Sequence, residues 1–253
     1  MKQVQHYESQ GHDYSSVRHQ DPRIAEEISK ALGHKAKKVL NVGAGAGSYE
    51  PQDRYVVALE PSSVMRSQRP SHRVPAIAGN AEAIPFDDQA FDAGMAVLTV
   101  HHWPDLRAGM KEFARVVQNR LVVMTFDPFA HTDFWLSDYL PEMAEVERWR
   151  YPTPDKIFGG LKGKLTTIEL PMYSDCQDKF QVALFARPEA FLRPEVRRSQ
   201  SAWSHLPDGA EQRFHEHLSE DLSSGVWDEK YGALRRKPTI KCQLRVYCFE
   251  LDR

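Results

Sequence analysis

Three glycines at alternate positions, Gly43, Gly45 and Gly47, follow the apolar stretch "KKVLNV", and one carboxylate, Glu60, closes the next apolar stretch "RYVVALE". Glycine lacks a Cβ, so a chain built this way can turn tightly and let a ligand approach its backbone. A carboxylate at the end of the following strand can accept hydrogen bonds from the paired hydroxyls of a ribose. Together they point to an adenosine-containing ligand at the carboxyl edge of a sheet. Alone, Gly-x-Gly-x-Gly is weak, because glycine turns also simply join strands; the acid makes it more specific.

Nicotinamide and S-adenosylmethionine sites share this logic. A dinucleotide needs Gly-x-Gly-x-x-Gly opening a full helix whose N-terminus receives the diphosphate. Here the spacing is Gly-x-Gly-x-Gly, and only Ser48 to Arg54, with a proline among them, separate Gly47 from the second strand. That is too short for a helix and a turn, and proline further disfavours one. A ligand with a methionyl tail suits the loop better than one with a diphosphate.

Elements able to position these residues are legible nearby. "DPRIAEEISKALG" (21–33) predicts a helix: Asp21 can cap it, Pro22 suits its first turn, Ile24, Ile28 and Leu32 recur at fourfold spacing, and Gly33 can end it. Strands are expected at "KKVLNVG", "RYVVALE", "VPAIAG" (74–79), "FDAGMAVLTV" (91–100) and "NRLVVMTF" (119–126), with a helix in "WPDLRAGMKEFARVVQ". Strands alternating with helices or short connections predict an α/β fold with a mostly parallel, doubly wound sheet. Beyond Phe126 the alternation fades. "GKLTTIELPM" predicts a sixth strand, "RPEAFLRPEVRRSQSAWSHL" and "DGAEQRFHEHLSEDL" predict helices, and "IKCQLRVYCFEL" (240–251) a final strand. The expected division is a cofactor-binding core with its N-terminal segment in 1–126, an α-rich, substrate-facing cap in 127–238 with one core strand near 164–172, and a last core strand in 239–253.

"GNAEAIPFDDQAFDAGMAVLTVHHWPDL" (79–106) carries "NAEAIPF", "FDAGMAV" and "HHWPD". With the glycine loop, the acid and the strand order, it strongly resembles the class I S-adenosylmethionine-dependent methyltransferases, in particular a small bacterial subgroup with an "AExLPFxDxxFD" signature. The resemblance spans about residues 35–126, and "RPEAFLRPEVRRSQSAW" is similar to tails of subgroup members without an assigned substrate. It implies a Rossmann-like, seven-stranded sheet, S-adenosylmethionine as cofactor, and methyl transfer to a small molecule by in-line displacement. It also implies a site. Gly43, Ala44 and Gly45 would pass under the methionyl part, and Glu60 would hold the ribose with Pro61 and Ser62 beside the adenine. Asn80 and Ala81 would meet the adenine edge. Leu98 and Thr99 would offer backbone groups near the sulfonium, and Tyr14, in "HDYSSVR" (12–18), would close over the cofactor. Asn41 and Asn80 depart from the pattern, since both positions are usually acidic. Asn41 can still bond the methionyl end but brings no charge for the ammonium.

Candidates for the chemistry follow. His101 and His102 close the fourth strand, where acceptors enter this fold, and imidazole can act as a base near neutrality. "HHW" recurs in relatives with different acceptors, which favours a structural role for His102 and leaves His101 open. Asp127 follows the fifth strand and is a candidate base, or the cap of a turn before Pro128. Phe126, Phe129, Phe134, Trp135, Tyr139 and Trp149 could line a pocket for a flat acceptor, although packing is the commoner fate of large apolar side chains.

Bulk properties narrow the classes. With 33 basic and 35 acidic residues the net charge is −2, which gives no field for long nucleic acid. Three scattered cysteines without a CxxC fit neither a disulfide framework nor a zinc knuckle, and no histidine pair has ligand spacing, so no metal is expected. No signal peptide or membrane span is evident, and a cytoplasmic protein is expected. Two alternatives stand beside the methyltransferase. A nicotinamide oxidoreductase of the short-chain type would want Tyr-x-x-x-Lys, which is absent. A non-catalytic module retaining the cofactor site is the other.

Overall fold

In the computed structural model, which describes residues 18–131 and 134–252, the chain builds a seven-stranded sheet in the order β3-β2-β1-β4-β5-β9-β6. β1 (Lys38–Val42), β2 (Tyr55–Leu59), β3 (Ala76–Ile77), β4 (Phe91–Val97) and β5 (Val117–Phe126) run parallel. β9 (Leu244–Leu251) pairs antiparallel with both β5 and β6 (Gly163–Glu169), completing the sheet from the far end of the chain. A separate two-stranded ribbon joins β7 (Met172–Tyr173) to β8 (Thr239–Ile240). The order reverses between β1 and β4, the switch point at whose carboxyl end open α/β sheets bind ligands.

Strand periodicity divides the core. Val122, Met124 and Val246 face one cluster, which also holds Ile24, Ile28 and most of the cap; Leu121, Val123 and Tyr247 face the other, with Met110 and Phe113. Those last two lie on α3 (Leu106–Val116), whose N-cap Asp105 accepts from Ala108 N–H; this helix covers the second face. The first helix, α1 (Pro22–Leu32), covers the other. The remaining helices, in chain order, are α2 (Ser63–Ser67), α4 (Leu136–Tyr139), α5 (Pro141–Arg150), α6 (Pro154–Phe158), α7 (Pro194–Arg198), α8 (Ala210–Ser224) and α9 (Val226–Tyr231). Among the described residues no helix is long and apolar enough to cross a membrane.

Three expectations need correction. The fourth strand stops at Val97 and not at residue 100, because Leu98 adopts φ 51° and turns the chain out of the sheet. The stretch 187–206 is not a long helix but two 3-10 turns (Pro188–Leu192 and Ser201–His205) around the short α7. Pro188 and Pro194 each open an element and disfavour helical backbone in the residue before them. The final strand begins at Leu244, with 239–240 peeled away into the ribbon.

Asp21 shows how the first helix is tied to the cap. Its Oδ1 accepts from Arg23 N–H at 3.0 Å, its Oδ2 from Arg23 Nη2 at 2.7 Å, and Gln177 N–H reaches Oδ2 at 3.2 Å. Burial alone would push this carboxyl up, but the bonds from Arg23 and Gln177 together hold it down at about 2. A carboxyl depressed by folding stabilises the protein above its ordinary pKa and loses that contribution as pH falls through the depressed value. We expect Asp21→Ala to lower the unfolding free energy at neutral pH by about 1–2 kcal/mol. Urea unfolding should show the difference between variant and parent shrinking from about pH 4 towards pH 2.

Candidate functional site

At the carboxyl edge of β1, β2 and β4 the backbone opens a cavity. Its floor is the loop after β1, which contains no helix before β2 begins at Tyr55. Gly43 and Ala44 both donate to Leu59 O, at 2.9 and 3.0 Å, so the loop is stitched to the end of β2. Gly43 (φ 68°) and Gly45 (φ 51°) occupy the left-handed region. A Cβ on Gly43 would lie 2.0 Å from Thr99 Oγ1, so this position is closed to any other residue.

Glu60 is buried and joins the loop to the next element. Its Oε2 accepts from Gly45 N–H and its Oε1 from Ser62 N–H, both at 2.8 Å. Burial pushes its pKa up, against the two amides and the more distant Arg66 and Arg69, which pull it down. Each carboxylate oxygen retains acceptor capacity, so a diol in the cavity can still bond it. Ser62 also caps α2 by accepting from Met65 N–H at 3.2 Å.

The positions expected around a cofactor converge here. Asn41, Gly43, Ala44 and Gly45 line the cavity on the β1 side; Glu60 and Pro61 line it beside β2; Asn80, Ala81, Leu98 and Thr99 close the remainder. Tyr14 lies outside the described residues. Asn41 is buried, and its Nδ2 donates to Glu50 Oε1 at 3.0 Å. Glu50, buried itself, takes two bonds from Arg69 Nη2 at 2.9 and 2.8 Å. Because a carboxylate only accepts, Glu50 fixes the amide with Oδ1 facing away from it. That Oδ1 is buried without a hydrogen-bond partner among the described residues.

Sequence reasoning missed the opposite wall. Arg18 pairs with Asp178 through both guanidinium branches, and Tyr49 Oη donates to Asp178 Oδ2 at 2.8 Å. All three line the cavity. They come from three distant parts of the chain, and no local motif links them. The position of Arg18 before a capped helix and the acid in "YSDCQD" are the only signals they leave.

A second cavity abuts the first, since Arg18 and Leu98 line both. Its apolar walls include Phe126, Phe134, Tyr151 and Phe180; its polar groups include His101, Glu147, Gln181 and Gln200. The aromatic cluster beyond β5 is therefore divided. Phe126 and Phe134 face this space, whereas Trp135 packs in the core against Phe191 and Trp227. Phe129 and Trp149 are exposed. His101 reaches the cavity but packs on His102 and Tyr151, and burial holds its pKa well below the ordinary value, with His102 and Arg150 adding to the effect. His102 lines the first cavity instead. Asp127 lines neither one. Its Oδ1 accepts from Phe129 N–H at 3.0 Å, which closes a turn after β5, so the structure does not bring it to the site as a base.

Comparison with known proteins gives concordant results. A profile of the methyltransferase domain matches residues 40–123. A demethylmenaquinone methyltransferase of Mycolicibacterium gilvum is 37% identical over 121 residues, covering 43% of this chain and 53% of that protein. A chloroplastic 2-methyl-6-phytyl-1,4-hydroquinone methyltransferase of Oryza sativa is 26% identical over 148 residues, or 54% of this chain and 41% of that protein. The chain thus spans about half the length of the curated relatives it matches. A solved structure of a putative methyltransferase from an antibiotic biosynthesis pathway of Anabaena variabilis superposes with a TM-score of 0.85 at 30% identity, covering 93% of this chain and 99% of that one.

The close approach of Gly43 to Thr99 generates a first test of the site's construction. Gly43→Ala should lower the unfolding free energy by about 2 kcal/mol or more, from left-handed strain and from the clash. Thr99→Ala in the same chain should recover part of that loss, measured by urea denaturation.

Proposed function

This chain belongs to the class I S-adenosylmethionine-dependent methyltransferases, and from that premise we propose that its first cavity holds the cofactor and its second a small-molecule methyl acceptor. The observation that carries this reading is the set of donors and acceptors around the first cavity. Glu60, directly after β2, would offer carboxylate lone pairs to the ribose hydroxyls. Asn41 Oδ1, buried and unpartnered among the described residues, faces away from Glu50 and suits the ammonium of a methionyl tail. Arg18, ion-paired with Asp178, lines the same cavity and would present N–H donors to the tail's carboxylate. Asn80 and Ala81 would close the adenine end, Pro61 would lie beside the base, and Leu98 and Thr99 would border the sulfonium, since all five line this cavity. Gly43, Ala44 and Gly45 form the floor on which the tail rests.

A sulfonium supplies an already activated methyl group, so the protein's task is to align an acceptor behind it and keep water away. Leu98 stands at the junction of the cavities, where such alignment takes place. The aromatic walls of the second cavity exclude water around the acceptor. His101, held neutral by burial, contributes shape and a neutral hydrogen-bonding edge there. No helix follows the glycine loop before β2, which leaves a diphosphate without a seat and disfavours a nicotinamide dinucleotide.

Isothermal titration with S-adenosylhomocysteine tests the assignment. The protein should bind it, and Glu60→Ala should weaken binding by about 1–3 kcal/mol, the range for hydrogen bonds to a charged acceptor. Undiminished affinity in that variant would remove the ribose role of Glu60, and absence of binding in the parent protein would remove the cofactor assignment.

A further inference from the structure

A carboxyl group that the mechanism above does not use stands in the wall of the second cavity. Glu147, on α5, is half-buried. Its hydrogen bond among the described residues comes from Gln181 Nε2, which donates to Oε1 at 2.5 Å. Burial pushes this carboxyl up to about 7, while Arg150 and the Gln181 bond pull the other way. Arg150, one turn along the same helix, does not clasp it. That buried guanidinium donates to Ser201 Oγ at 2.9 Å and leaves Nε and Nη1 without partners among the described residues.

The remaining surroundings constrain what the cavity can take. Arg18 reaches it across from α5 but is neutralised by Asp178, and His101 is held neutral, with Arg150 and His205 among the causes. Tyr151 contributes a ring that packs on Phe126 and His101. With Arg150 close behind Glu147, the space does not favour a cationic guest. Gln181 Oε1 and Gln200 Oε1 are buried acceptors without partners among the described residues. Phe126, Phe134 and Phe180 offer flat apolar walls. The combination asks for a neutral, flat molecule that donates a hydrogen bond.

The geometry points to an aromatic hydroxyl compound as the occupant of this cavity, with its O–H donated to Glu147, which takes the proton when that oxygen is methylated. The step balances within the reaction. The oxygen–methyl bond forms as the sulfur–methyl bond breaks, and the bonding pair stays on sulfur to leave a thioether. The hydroxyl proton passes to Glu147 and from there to water. Glu147 suits this role better than His101, because a base works best with a pKa near the operating pH. This inference rests on the first cavity being the cofactor site.

The test titrates 1-naphthol, and separately benzylamine, into the full-length protein saturated with S-adenosylhomocysteine. If only ionised Glu147 accepts the hydroxyl, 1-naphthol should bind about 30-fold more tightly at pH 8 than at pH 5.5. Glu147→Gln should abolish that pH dependence while still binding S-adenosylhomocysteine, which shows that its fold is intact. Gln181→Leu removes the amide that lowers the Glu147 pKa, so the midpoint of the dependence should move to higher pH, a shift that a purely structural role would not produce. A flat pH profile, unaltered behaviour of Glu147→Gln, or no binding of 1-naphthol to protein that does bind S-adenosylhomocysteine overturns the inference. So does tighter binding of benzylamine, which would make the pocket an ammonium site. Failure to bind S-adenosylhomocysteine strikes the cofactor assignment instead.

Discussion

One buried carboxylate holds the site together. Glu60 bonds the amide of Gly45 on one loop and that of Ser62 at the start of the next helix. Taking this charge out of water is costly, as the upward pull of burial on its pKa shows. The cost is offset only while both amides point at it, and they do so only because Gly45 and its neighbour Gly43 accept left-handed backbone. Gly43 and Ala44 meanwhile bond to Leu59 O, the last residue of β2, immediately before the acid. The loop conformation and the buried acid are thus conditions of each other. What remains for a ligand is acceptor capacity in a place where only acceptor capacity is left.

The far wall depends on a second linkage, between the segment before α1 and the segment after β7. Asp178 collects Arg18 and Tyr49, and Gln177 next to it donates to the helix cap Asp21. A buried ion pair of this kind adds little net stability, but removing one partner strands the other charge at a cost of about 3–5 kcal/mol. It therefore acts mainly on geometry. It pins the segment after β7 to the residues that precede α1. The Tyr49 hydroxyl, raised in pKa by burial and by Asp178, remains a neutral donor within that arrangement.

The parts of this architecture that were legible in the sequence are those whose signals are local. The helix at 22–32 carries its cap, its apolar spacing and its terminating glycine within one stretch. The parallel strands read as apolar runs because both their faces are covered. The glycine loop and Glu60 stand seventeen residues apart and share one strand connection. What escaped was assembled from afar. The Arg18–Asp178 pair spans 160 residues, and Glu147 meets Gln181 across 34. Neither has a periodicity or spacing to betray it. The helical expectation for 187–206 failed for a different reason: its composition is compatible with a helix, but two internal prolines cut it into turns that pack their apolar residues without a continuous helix axis. Asp127 has the expected residue type at the expected strand end, but it lines neither cavity and accepts from Phe129 N–H in the turn after β5.

Two acids with similar burial tendencies end in different roles because their donors differ. Glu60 receives two backbone amides, which are held by the covalent chain and pull its pKa down against burial. Glu147 receives one side-chain amide and borders open space, with a guanidinium near enough to be felt but bonded elsewhere. Burial raises both, and each borders a cavity; Glu147 is pushed up to about 7. His101 completes the contrast. An imidazole buried this deeply gives up its proton too readily to serve as the base, and the nearby carboxyl becomes the group able to exchange one near neutral pH.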